Sequence, residues 1–167
     1  MDAEKKLLKT IALQLKANNL FLATAESCTG GLIGHLITNL PGSSDYYLGG
    51  QIVYSNHAKQ LWLDVPIEIL NTFGAVSRET VLAMAYGIRR AFAGKVDLKK
   101  IVGFSISGIA GPAGGTPTKP VGAVWMAIST HIHERAYRFQ FDGSRDEIKY
   151  QAALQALSIL SKEIAEA

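Results

Sequence analysis

The stretch LATAESCTGGLIG, Leu22 to Gly34, sets two nucleophile types side by side, Ser27 and Cys28, where an apolar run breaks and a helical apolar pattern resumes. A serine on a tight strand-to-helix turn can present its oxygen beside backbone N–H donors, the geometry that nucleophile elbows use. The surrounding letters are not G-x-S-x-G, and Ser27 or Thr29 would serve equally well to cap a helix that begins near Gly30. Cys28 is the weaker candidate. Lone cysteines are mostly inert packing residues, and a reactive one needs a neighbouring cation or base.

A serine nucleophile needs a base. The four histidines are His35, His57, His131 and His133. His35 falls inside a helical pattern, while His131 and His133 flank a strand start as surface residues. None has an acidic partner at a recognisable spacing, so a Ser-His-Asp triad is unsupported. Lys59 is the alternative, one helical turn beyond a second strand and level with the Ser27 loop if the two strands are neighbours. A lysine acts as base only when neutral, which requires its pKa to fall from ~10.4 toward ~7–8 through burial or a nearby positive charge. Tyr54, at the end of the same strand, could hold the amine by a hydrogen bond or relay its proton. The bland reading of Lys59 is a solvated helix surface. A third segment, SGIAGPAGGTPTKPVG, carries Gly108, Gly111, Gly114 and Gly115 stiffened by three prolines. It is either an ordinary long loop or an ordered cradle in which Ser105, Ser107 and Lys119 contact a phosphate. It matches neither Walker A nor the dinucleotide fingerprint.

These loops require elements to hold them. Residues 3–18 have the spacing of an amphipathic helix, with Leu7, Leu8, Ile11 and Leu15 on one face. LFLATA (20–25) is an apolar strand without alternation, and LGGQIVYS (48–55) is a second. Helices follow at NHAKQLWL, capped by Asn56, and at VPIEILNTFG. A longer one begins after a Ser77 cap. Strands are expected at 100–107, 122–130 and 133–141, the last alternating and antiparallel to its neighbour, and a long helix closes the chain. The fold class implied is α/β, three layers α/β/α around a mixed sheet, in one domain spanning 1–167 without repeat or linker.

The chain has 167 residues, 48% of them hydrophobic, enough for a sizeable core. A formal net charge of +3 without basic blocks, RNP-like motif or zinc spacing argues against nucleic acid as a partner. The single cysteine excludes an internal disulfide framework. With no signal-peptide pattern and no run of membrane-spanning length, a cytoplasmic protein without membrane association is expected. Tyr46, Tyr47 and Trp62 are candidate surface aromatics for a homo-oligomer contact.

Together, TAESCTGG, GSSDYYLGGQIVYSNHAK, GAVS and SGIAGPAGGTPTKPVGAVW closely resemble the CinA C-terminal domain family, the competence/damage-inducible group. The resemblance runs in order from about Leu7 to the final helix. It implies a mostly parallel, five-stranded mixed sheet, and the stand-alone form of a domain that often follows a larger molybdopterin-binding-like one. It implies a nicotinamide-nucleotide amidohydrolase that converts nicotinamide mononucleotide to nicotinate mononucleotide and ammonia, with neither metal nor cofactor. The family's nucleophile falls on Ser27, its lysine and tyrosine on Lys59 and Tyr54, and His57 stands where relatives often have an acidic residue. N–H groups from Cys28 to Gly31, or at Gly108, would hold the oxyanion. Thr29, Gly30, Gly31, Asn56, Ser107, Gly108, Lys119 and Arg145 are the expected substrate contacts. Two other readings compete: a nucleotide-binding regulatory module without chemistry, and a Ser-Lys hydrolase of a different amide.

Overall fold

The computed structural model describes residues 3–167. Six helices and five strands follow in the order α1 (Ala3–Ala17), β1 (Phe21–Glu26), α2 (Leu32–Thr38), β2 (Tyr47–Ile52), α3 (Asn56–Leu63), α4 (Ile67–Phe73), α5 (Arg78–Ala91), β3 (Ile101–Gly108), β4 (Ala123–Ser129), β5 (Glu134–Gln140) and α6 (Arg145–Ile164). The strands form a single sheet in the order β2-β1-β3-β4-β5. β1 pairs parallel with both β2 and β3, while β4 is antiparallel to β3 and to β5. Four of the five strands therefore point the same way, giving the mixed α/β sheet expected.

The hydrophobic pattern assigns the layers. α1 buries Leu8, Ile11, Ala12 and Leu15, one stripe at helical spacing, against one face of the sheet. Ile33 and Ile37 of α2, with Ala152, Ala156, Leu157 and Leu160 of α6, complete that layer over Phe104, Ile106, Val124 and Met126. On the opposite face, Leu63, Leu70, Met84 and Ile88 pack on Ala23, Ala25 and Ile101. α5 lies so close to the sheet that a Cβ on Gly103 would stand 2.1 Å from the Ala85 carbonyl oxygen. β1 and β3 are apolar and buried on both faces, whereas the edge strand β5 alternates.

Three expectations are corrected. Tyr46 is a core residue, 2% exposed, because it packs in the α1/α2 layer rather than on the surface. Tyr47 is half-buried and shares a hydrogen bond with Thr24, so only Trp62 of the three aromatics is well exposed. α3 is capped by Ser55, whose Oγ accepts from Ala58 N, and Asn56 is its first residue. Among the described residues no helix is long and apolar enough to cross a membrane.

The connections fix where a ligand can sit. From β1 the chain crosses through α2 on one face to β2. It returns through α3, α4 and α5 on the other face to β3, on the far side of β1. A parallel sheet whose connections reverse at a central strand opens a crevice beyond the carboxyl ends flanking that point, here β1 and β3.

Candidate active site

At that crevice lies a cavity of about 230 Å³ lined by Ser27, Lys59, Tyr54, Ser107 and Arg145, with Cys28, Ala75, Val76, Gly108 and Ala110. β1 delivers Ser27 in the residue after its last, and β2 runs on through Val53 and Tyr54 into α3. Lys59 then reaches back from the first turns of α3. Its side chain is 1% exposed. Nζ lies 3.1 Å from Ser27 Oγ, 2.9 Å from the Val53 carbonyl and 3.2 Å from the Tyr54 carbonyl.

Burial decides the charge on this amine. Removal from water lowers its pKa from 10.5 to about 8. Roughly a tenth of the molecules then carry a neutral amine at pH 7, against fewer than ~1 in 1,000 for an ordinary lysine. In the neutral form the two N–H bonds are taken by the two carbonyls. In the structure Nζ donates to Ser27 Oγ; once neutral, its lone pair can face Ser27 and accept from that hydroxyl instead. A serine oxygen held on a neutral amine is a nucleophile with its base in place.

The neighbouring thiol is a different case. Cys28 is buried, and desolvation pushes its pKa up to about 12, leaving it a protonated packing residue. His35, His57 and His131 are exposed, and His133 is half-buried at the far end of the sheet beside β5. None lines the cavity. Among the described residues no group of three or more His, Cys, Asp or Glu could hold a metal ion.

Residues 4–164 match the family of the CinA C-terminal domain. The chain is 47% identical to a CinA-like protein of Syntrophotalea carbinolica over 159 residues, 95% of this chain and 37% of that protein. It is also 47% identical to a putative competence-damage inducible protein of Moorella thermoacetica over 150 residues, 90% of this chain and 35% of that one. It belongs to the CinA C-terminal domain family. The chain spans little more than a third of the length of these relatives. Two crystal structures share the fold. One is a CinA superfamily protein of Klebsiella pneumoniae, with a TM-score of 0.89 at 31% identity, covering 99% of this chain and 100% of that one. The other is the competence/damage inducible protein CihA of Agrobacterium tumefaciens, with a TM-score of 0.87 at 36% identity, covering 96% and 94%.

Within this CinA domain the other expected site residues divide. Tyr54 lines the cavity, but its contact with the lysine is the main-chain carbonyl; its phenol oxygen accepts from Arg145 Nη2 at 2.9 Å. The second guanidinium arm, Nη1, donates to the Gly111 carbonyl, so Arg145 bridges two loops across the cavity. Ser107 lines the cavity while its hydroxyl donates to the Ala75 carbonyl at 2.8 Å. Ser105 is turned away, donating to Val81 of α5. Lys119 lies outside the cavity, its Nζ donating to the Phe73 carbonyl, and so ties the glycine-rich loop to the end of α4. Asn56 is exposed and off the lining.

Thr29, Gly30 and Gly31 form the turn rather than the wall. Gly30 and Gly31 hold φ of 62° and 99°, a left-handed pair that only glycine adopts without strain. The Thr29 hydroxyl donates to Glu26, a residue that the spacing of the sequence did not single out. Glu26 is 2% exposed and its carboxylate also accepts from the N–H groups of Gly31, Ile33 and Gly34. It therefore caps α2 from the strand before it, which overturns the reading of Ser27 or Thr29 as the cap. Burying a carboxylate costs several kcal/mol; four charge-assisted bonds at about 1.5–3 kcal/mol each offset it. Ala75, Val76 and Ala110 were missed too. For Ala75 and Val76 the signal was there in GAVS, whose glycine had an obvious use as the end of α4; Ala110 lies in the glycine-rich loop, among its glycines and prolines.

Proposed function

We propose that this CinA domain is an amidohydrolase that cleaves the carboxamide of nicotinamide mononucleotide, giving nicotinate mononucleotide and ammonia. The observation that carries the reading is the buried Lys59 amine, 3.1 Å from Ser27 Oγ and held from behind by two carbonyls. Neutral Lys59 takes the Ser27 proton as Oγ attacks the carboxamide carbon, and the carbonyl π pair moves onto oxygen. The oxyanion rests on main-chain N–H groups. Among the described residues, the Thr29 N–H donates to no protein acceptor and the Cys28 N–H faces only its own thiol, whereas Gly30, Gly31 and Leu32 are committed to Ser27, Glu26 and Thr29. Protonated Lys59 then gives its proton to the departing nitrogen, which leaves as ammonia, and a nicotinoyl ester remains on Ser27. Water attacks that ester with Lys59 again as base. The C–O bond to Ser27 breaks, and the lysine returns the proton to Oγ.

The substrate's phosphate lies toward Arg145, which among the described residues is the cationic side chain on the lining besides Lys59. With its oxygen accepting from Arg145, the Tyr54 phenol keeps its own proton to donate to substrate. The test is ammonia release from nicotinamide mononucleotide, nicotinamide riboside and free nicotinamide, with and without chelator. Turnover of the mononucleotide alone, unaffected by chelation, is expected. Saturable binding without ammonia would replace the enzyme with a regulatory module, and turnover of an unrelated amide would change the substrate.

A further inference from the structure

We infer that Glu26 is the positioning residue of the nucleophile turn: its buried carboxylate, not a helix cap from within the turn, holds Ser27 where Lys59 can reach it. This rests on Ser27 being the nucleophile, and its test separates the two.

The argument begins with an inconsistency in the local sequence. α2 is seven residues long and its N-cap position is Gly31, which has no side chain to cap it. Its first N–H groups are shielded from water at the end of a sheet, where unpaired donors are costly. Glu26 resolves this from outside the helix. Its Oε2 accepts from Thr29 Oγ1 at 2.6 Å, Gly31 N at 3.1 Å and Ile33 N at 3.1 Å, while Oε1 accepts from Gly34 N at 2.8 Å. The backbone of Glu26 is fixed in the sheet between Ile52 and Ile106. A rigid strand end thus grips both ends of the five-residue turn and restrains Ser27, which stands next to the strand end. The same residue reaches the base by a second route. The Glu26 carbonyl accepts from Val53 N at 2.8 Å, and the Val53 carbonyl accepts from Lys59 Nζ at 2.9 Å. Nucleophile and base are therefore registered against one residue, which touches neither substrate nor reacting atoms.

The grip also selects the oxyanion donors. By taking the N–H groups of Gly31, Ile33 and Gly34, the carboxylate withdraws the helix start from ligand binding. The Thr29 N–H stays free beside Ser27, and the Cys28 N–H is engaged only by its own thiol. The anion at the start of α2 is supplied by the chain itself.

The experiment measures phosphonylation of Ser27 by an alkyl fluorophosphonate. Attack forms a Ser27 O–P bond, expels fluoride and delivers the proton to Lys59, with no need for the natural substrate. The maximal rate constant and the half-saturating probe concentration are measured separately for wild type, Ser27→Ala, Glu26→Gln and Thr29→Val, each checked by circular dichroism. Glu26→Gln keeps the shape but sets its amide N–H₂ against one of the N–H donors, and Thr29→Val deletes one donor at constant volume. The expected result is a fall in the rate constant of about 100-fold for Glu26→Gln and about 5-fold for Thr29→Val, at unchanged half-saturation, because small misplacements of a nucleophile cost this much. A rate constant within about twofold of wild type in folded Glu26→Gln and Thr29→Val overturns the positioning role. Labelling that persists in Ser27→Ala overturns the nucleophile assignment instead, and the positioning role with it.

Discussion

At the scale of the residue, the chemistry depends on where one amine's hydrogen bonds go. Lys59 has three oxygen neighbours, and two of them are carbonyls that can only accept. That arrangement points the lone pair of the neutral amine at Ser27. Ser27→Ala is expected to lower ammonia release by about 10³-fold or more, and Lys59→Met by a similar factor, since members of such a unit fail together. The pH profile has a definite sign. In the proposed mechanism the neutral amine is the active form, and burial lowers its pKa to about 8. Turnover should rise about tenfold per pH unit below that value and level off above it. Cys28, pushed the other way, should resist alkylation by iodoacetamide at pH 8 at least ~30-fold better in the folded protein than after unfolding. Ser27 follows the last residue of β1 and Lys59 lies in the first turns of the helix after β2, so position made both candidates, but it was the family resemblance that chose them over a helix cap and a solvated surface lysine. Glu26 was not readable. Its donors lie three, five, seven and eight residues ahead, a pattern that matches no local capping rule.

At the scale of the element, the Ser77 cap was legible: it accepts from Thr80 N at the start of α5. The capping box of Ser144 with Glu147 at the start of α6 went unread, although both residues are local to the helix start. Where a cap is supplied from afar, as at α2, propensity names the wrong residue. At α3 Ser55 and Asn56 are both good cap types, and Ser55 takes the role because its backbone is extended (φ −89°, ψ 161°) while Asn56 is already the first helical residue. The two glycines of the Ser27 turn are conformational necessities. Gly31→Ala should cost about 1–2 kcal/mol, from left-handed strain and a Cβ 3.0 Å from Ile52 Cδ1, readable by denaturant unfolding. Gly103→Val acts by a different route. Its side chain would collide with the Ala85 carbonyl and lift α5 from β3, with an expected loss of about 2–4 kcal/mol.

At the scale of the molecule, three strand ends and the start of the last helix meet at one crevice. The alternation of helix and strand made the layers legible, because buried parallel strands cannot hide their apolar runs. The neighbours of β1 were less so. β1 pairs with β3, eighty residues later in register (Phe21 with Ile101), and periodicity carries no information about which strands meet. Arg145 shows the consequence. It opens α6, yet donates to Tyr54 and Gly111 of two other segments, bridging them across the cavity. A guanidinium–phosphate contact is worth about 1.5–3 kcal/mol. Arg145→Ala should accordingly raise KM for nicotinamide mononucleotide about 10–100-fold with a smaller change in kcat, measured by ammonia release. Buried Glu163 anchors the other end of the helix, accepting from Arg135 and Tyr137 of β5, so α6 is fixed at both ends.

The most direct measurement is the titration of Lys59 itself, followed through its Cε carbon by NMR in protein labelled at lysine, with Lys59→Met to assign the signal. A midpoint near 8, coinciding with the midpoint of the pH–rate profile, is the predicted result. A midpoint at the ordinary lysine value of ~10.4, with turnover already level at pH 7, would contradict the neutral amine and the Ser27 activation built on it.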